Sequence, residues 1–96
     1  MFWRQAEAGT TIGKTGSEDG VILRDELSAV GRLTLERIDG GYAITCSLYG
    51  TLFHTAWADS ETAADDKFWR MRRALEQAPA DAEGQGDWCE WFVNMF

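Results

Sequence analysis

The sequence predicts an α+β fold: a small antiparallel β-meander of three to four strands, packed on one face by one amphipathic helix, with a short C-terminal helix. Three observations predict it. The dipeptides Asp39-Gly40 and Tyr49-Gly50 separate runs in which apolar and polar residues alternate, the mark of hairpins. Beyond the second run, Ala64, Phe68, Met71, Leu75 and Ala78 recur at four-three-four-three spacing, one stripe of a helix. Pro79 then ends that helix, because proline lacks an amide donor and disfavours helical geometry in the residue before it.

At 96 residues the chain makes one domain, read as a flexible N-terminal arm, 1–20, and a single α+β domain, 21–96. Residues 8–20 are rich in Gly, Thr and Ser and lack apolar periodicity, hence the arm. Val21–Ala29 reads as a first strand with Val21, Leu23, Leu27 and Ala29 on one face, interrupted by Asp25; Arg24–Val30 also fits a helical turn. Arg32–Ile38 is a strand with Leu33 and Leu35 inward. A type I′ turn at Asp39-Gly40 pairs Arg37 with Tyr42, Leu35 with Ile44 and Leu33 with Cys46; a Gly40-Gly41 turn shifts these pairs by two and keeps the faces. In Tyr42–Leu48, Tyr42, Ile44, Cys46 and Leu48 face one way, and Ala43, Thr45 and Ser47 the other. Taking Tyr49-Gly50 as the next turn pairs Cys46 with Phe53 and Tyr42 with Trp57. That register sets the large apolar residues on a common face.

Asp59 or Ser60 caps the helix that follows, and Asp66 and Arg70 form an i,i+4 pair on its wet side. Residues 79–86 read as an acidic linker. Asp87 opens a last helix with Glu90 in capping-box spacing, and Trp88, Trp91, Phe92 and Met95 line one side of it. A helix so short must dock, here on the core rim beside Phe2 and Trp3. The expected core is Leu33, Leu35, Tyr42, Ile44, Cys46, Leu48, Phe53, Trp57, Ala64, Phe68, Met71 and Leu75.

Sixteen acidic against nine basic side chains give a formal net charge of −7. A basic footprint is missing, so nucleic-acid binding is not expected. The acidic C-terminal stretch, with Asp81, Glu83, Asp87 and Glu90, suits an inhibitor that occupies a basic partner. Cys46 alternates with Ile44 and Leu48 and reads as a small core hydrophobe. Without a secretory signal or an apolar span of membrane length, the expectation is a cytoplasmic protein with no membrane partner.

The stretch Ala8-Gly9-Thr10-Thr11-Ile12-Gly13-Lys14-Thr15 fits a relaxed phosphate-loop pattern with Ala in place of the first Gly. A working loop follows a buried parallel strand and opens a helix whose amides face the phosphates. Phe2-Trp3-Arg4-Gln5 and Gly16-Ser17-Glu18-Asp19-Gly20 supply neither, so nucleotide binding is not expected, nor is any cofactor.

His54, the single histidine, falls in this register on the non-core face beside Thr45 and Thr34. The row Thr34-Thr45-His54 is a candidate ligand face. With Ala56 on the same small-residue face and Trp69 at the edge of the helical stripe, it is also a candidate interface. Trp69 and Arg73 stand i,i+4 and suit a cation–π stack. One imidazole among hydroxyls is not a zinc set, and no nucleophile has both a base and an orienter. No catalytic or metal residue is assigned.

The run from Tyr42 to Gly50, followed by Phe53-His54-Thr55 and a helix containing Met71, resembles a group of short uncharacterised bacterial proteins over residues 31–78. The resemblance implies a bacterial origin and a strand-strand-helix design, and it transfers no catalytic residue. The lack of a catalytic set and the half-apolar second sheet face make a non-enzymatic protein–protein interaction or assembly module the leading expectation, as a homodimer or a subunit. The alternative is a small-molecule-binding or catalytic domain using the Thr34, Thr45 and His54 face. The acidic inhibitor stands third.

Overall fold

The structure is a computed structural model that describes residues 2–80 and 82–96; Met1 of the arm and Asp81 of the linker lie outside the described residues. Its strands are Arg4–Gln5 (β1), Val21–Leu27 (β2), Gly31–Ile38 (β3), Gly41–Leu48 (β4) and Leu52–Ala58 (β5). They form one antiparallel sheet in that order. Helices Glu61–Glu76 (α1) and Ala82–Met95 (α2) cover one face, and the segment joining β1 to β2 crosses the other. The fold is α+β, with five strands rather than three to four. The additional strand is β1, where Arg4 pairs with Leu27 and Gln5 with Glu26.

The first hairpin has the register its spacing predicts, with Arg37 opposite Tyr42, Leu35 opposite Ile44 and Leu33 opposite Cys46. Only Gly40 of its turn is left-handed (φ 78°), so the turn is not of type I′, which needs two such residues. The second hairpin differs from expectation. Its loop is Tyr49-Gly50-Thr51, with Leu48 opposite Leu52. Thr51 N–H donates to the Leu48 carbonyl at 2.9 Å, and Gly50 (φ 76°) takes the left-handed position that such a turn requires. One extra loop residue moves β5 by one position, and one position reverses every side chain. Cys46 therefore lies opposite His54, and Trp57 opposite Ala43. Phe53 and Trp57, expected in the core, stand 71 % and 54 % exposed on the outer face, while Ala56 is buried beneath the helices.

A second irregularity lies in β2. Ile22 opposes Glu36 and Arg24 opposes Leu35, so Leu23 is an extra residue, a β-bulge. The bulge reverses the rest of the strand. Asp25 moves to the outer face opposite Thr34. Arg24 and Glu26 reach the helix side, where they pair with Asp65 (3.1 Å) and Arg72 (2.7 Å) of α1.

Between sheet and helices, Leu33, Leu35, Ile44 and Cys46 pack against Ala64, Phe68, Met71 and Leu75, joined by Ala56, Ala74, Phe92 and Trp3. Tyr42 sits at the rim. Full burial of side chains such as Phe68 and Phe92 contributes about 1.5–3 kcal/mol each. Ser60 caps α1, its Oγ accepting from Ala63 N–H at 3.1 Å. The helix ends at Glu76, and the N–H groups of Gln77 and Ala78 donate back to the Ala74 and Leu75 carbonyls. Helix α2 begins at Ala82 rather than Asp87, and so takes in Gly84 and Gly86. It docks through Phe92, with Trp88 and Phe96 against the core edge; Trp91, Met95 and Phe2 are exposed. No helix among the described residues is long and apolar enough to cross a membrane.

Candidate functional site

The segment expected as a flexible arm is folded onto the outer sheet face, and two buried carboxylates hold it there. Asp25 is fully buried. Its carboxylate accepts from Arg32 Nε (2.9 Å), Arg32 Nη2 (2.6 Å) and Thr11 Oγ1 (2.8 Å). The fork-on-carboxylate geometry accounts for the unpaired-looking Asp25 of the sequence. Its hydrogen bonds push Arg32 above its ordinary pKa, with burial acting against them. Glu36, also fully buried, accepts from the backbone N–H groups of Gly20 (3.1 Å) and Glu18 (3.2 Å). Gly16 passes directly over that carboxyl, where a Cβ would collide with it.

Between arm and sheet lies a cavity of about 370 Å³. Its roof is Lys14 to Ser17, its floor Arg32, Thr34, Thr45 and Ser47, and Phe53 flanks it. The hydroxyl protons of the floor can be assigned. Thr34 Oγ1 donates to the Thr45 carbonyl (3.3 Å), and Thr55 Oγ1 donates to Glu18 Oε1 (3.2 Å). The Thr45 hydroxyl, 3.2 Å from Thr55 Oγ1, must then be the donor in that pair, since each hydroxyl has one proton. Thr34 and Thr45 are left with acceptor lone pairs. The cationic donors are Lys14, which makes no ion pair among the described residues, and Arg32 Nη1, outside its bond to Asp25.

The predicted site residues separate. Thr34 and Thr45 are neighbours across β3 and β4 and both line the cavity. His54 and Ala56 are on the opposite, helix-facing side, a correction that follows from the one-residue shift of β5; the third member of the outer row is Thr55. His54 lies edge-on to Phe92 at 6.1 Å, and its buried Nε2 has no hydrogen-bond partner among the described residues. Trp69 belongs to neither group. It packs edge-on against Phe68 under the guanidinium groups of Arg24 (5.4 Å) and Arg72 (5.1 Å), in place of the expected Arg73. Sequence reasoning missed Lys14, Arg32 and Ser47, and the carboxylates that set the roof. The one signal for them was Asp25 on a face otherwise apolar.

Cys46 and His54 face each other across strands, an arrangement that invites a thiolate reading. Burial pushes the Cys46 thiol up to about 12, eased by backbone N–H groups of His54 and Cys46 and raised further by Cys89. An activated cysteine needs the opposite shift, so Cys46 is a core thiol. Among the described residues, no three His, Cys, Asp or Glu side chains are grouped to hold a metal ion.

The phosphate-loop pattern has its amides turned inward. Those of Ile12 and Lys14 donate to carbonyls within the loop, that of Thr10 to the Glu7 carbonyl just before it, and that of Gly13 to the Ile22 carbonyl. No helix follows Thr15, which instead bridges to Val21. The anion held beside the loop is the protein's own Glu36 carboxylate. Neither a family model, a curated protein nor a solved structure matches the chain.

Proposed function

We propose that the protein is a binding module for a small polyhydroxylated acid, a sugar acid or sugar phosphate in chemical class, taken up between the arm and the outer sheet face. The observation that carries this reading is the roughly 370 Å³ cavity, at the small end of metabolite-sized pockets. Lys14 and Arg32 offer donors to an oxyanion. Thr34 and Thr45 offer acceptors to ligand hydroxyls, and Phe53 offers an apolar wall. Binding is favoured over turnover because the pocket contains neither imidazole nor thiol, and Asp25 and Glu36 are occupied by internal donors.

Titration with gluconate, glucose 6-phosphate and glucose, followed through the amide resonances of Thr34, Thr45 and Ser47, tests the proposal. The acids are expected to saturate by about 10 mM. Glucose binds more weakly, and Lys14→Met abolishes the difference. If no probe perturbs those three amides, the pocket reading fails.

A further inference from the structure

The outer face is not covered to its end: the arm stops at β4 and Thr55, and the β5 edge lies open. We propose that β5 pairs with β5 of a second copy of this chain, antiparallel and two-fold about Thr55, so that the sheet continues from one copy into the next.

The strand Leu52-Phe53-His54-Thr55-Ala56-Trp57-Ala58 contains no Asp, Glu, Lys, Arg or Pro, and its pairing with β4 is free of bulges. Those are the devices by which edge strands are ordinarily blunted. The other edge, β1, is two residues long and carries Arg4. The Trp57 carbonyl accepts from Lys67 Nζ at 2.8 Å and thus points away from β4. By the two-residue alternation of a strand, the N–H and C=O groups of Phe53, Thr55 and Trp57 all face the open edge.

An axis through Thr55 makes this edge self-complementary. Thr55 meets its own copy, and Phe53 meets Trp57 of the second chain on both sides of the axis. Each of these pairs occupies a position where two backbone hydrogen bonds are exchanged. The aromatic pairs are the cross-strand combination that sheets favour. Phe53 and Trp57 expose roughly 250 Å² of ring surface per copy. Two seven-residue edges, each about 24 Å long, add a comparable area. Together they reach the roughly 1,000 Å² that a specific contact needs.

Charge sets the conditions. Two chains of net charge −7 repel, and Glu18, bonded to Thr55 Oγ1, brings a carboxylate of each copy toward the axis. The strands themselves place no like charges opposite one another. Pairing therefore strengthens with salt, the reverse of an ion-pair interface. Lys67 acts against it, because its ammonium must leave the Trp57 carbonyl before the second strand can take that acceptor.

Sedimentation velocity between about 10 and 500 µM reads the association. The wild type is expected to run as a monomer–dimer equilibrium that tightens severalfold on raising salt from about 0.05 to 0.5 M. Phe53→Lys, at an exposed position that leaves the fold intact, weakens it at least tenfold, and Lys67→Met strengthens it severalfold. Hydrogen exchange at the Phe53, Thr55 and Trp57 amides slows as concentration rises. A strict monomer in both wild type and Lys67→Met overturns the proposal. So does a dimer that survives Phe53→Lys, or one that leaves those three amides unprotected.

Discussion

Replacing Glu36 by Ala removes one of the two anchors of the N-terminal segment without touching the helix-side core. The Glu36 carboxylate is the acceptor for Gly20 N–H at 3.1 Å and Glu18 N–H at 3.2 Å, and the side chain is wholly buried. The orphaned amides, that of Gly20 buried and that of Glu18 partly so, cost about 1–3 kcal/mol each. Loss of the Cγ methylene adds about 0.8 kcal/mol. Relief from burying a charge and entry of a water offset about 1–2 kcal/mol. The net expectation is a loss of about 3–4 kcal/mol, a large share of the stability of a domain this size. At about 4–8 °C per kcal/mol, Tm falls by roughly 12–30 °C. Urea unfolding monitored by tryptophan fluorescence gives the global figure, and hydrogen exchange at Glu18 and Gly20 gives the local one. Gly16→Ala, which pushes the same carboxyl from above, shifts the same two amides. A loss below about 1 kcal/mol with Gly20 exchange unchanged would show that the arm is not held by Glu36.

Four further outcomes follow from the register, the core and the helix. Phe53→Ser, measured on dilute monomer, changes stability by no more than about 0.5 kcal/mol, whereas Phe92→Ala costs about 3–5 kcal/mol; denaturant midpoints in the reverse order would restore the two-residue turn. Iodoacetamide at mildly alkaline pH modifies Cys89 in the folded protein and reaches Cys46 only on unfolding, as peptide mass mapping reads out. Because folding raises the Cys46 pKa from 9.0 to about 12, its contribution is intact below pH 9 and declines by about 4 kcal/mol as pH rises to 12, a loss that Cys46→Ala lacks. Gly86→Ala, with open space around the new Cβ, stabilises α2 by about 0.5–1 kcal/mol in thermal unfolding.

What was legible in the sequence is what local chemistry determines. Asp39-Gly40 and the Ala64-Phe68-Met71-Leu75 stripe each carry their own geometry, and the first hairpin and α1 stand where they predict. The second hairpin was less legible because Tyr49-Gly50 marks a reversal without stating whether Thr51 belongs to the loop or the strand. That single residue decides which of Phe53 and His54 is inside. The bulge at Leu23 was likewise unmarked, although Asp25 on an apolar face was its symptom. Gly, Ser and Thr between residues 8 and 20 fit a loose arm and a pinned one equally well. The distinction rests on partners far along the chain, with Glu18 bound to Glu36 and Thr55. The candidate site combined both problems: Thr34 and Thr45 were legible from the well-registered strands, while its roof and its cations came from the arm.

The pinned arm also has a consequence for the order in which the chain folds. Strands β2 to β5 join by short reversals and can zip from neighbour to neighbour, which makes for fast, local folding. Asp25, already forked to Arg32 of β3, and Glu36 then stay open to water on the growing outer face until Thr11, Glu18 and Gly20 arrive from upstream. Closing the arm is thus the late event, when water leaves two carboxylates together. Substitutions at Thr11 or Gly20 should accelerate unfolding while leaving the folding rate nearly unchanged.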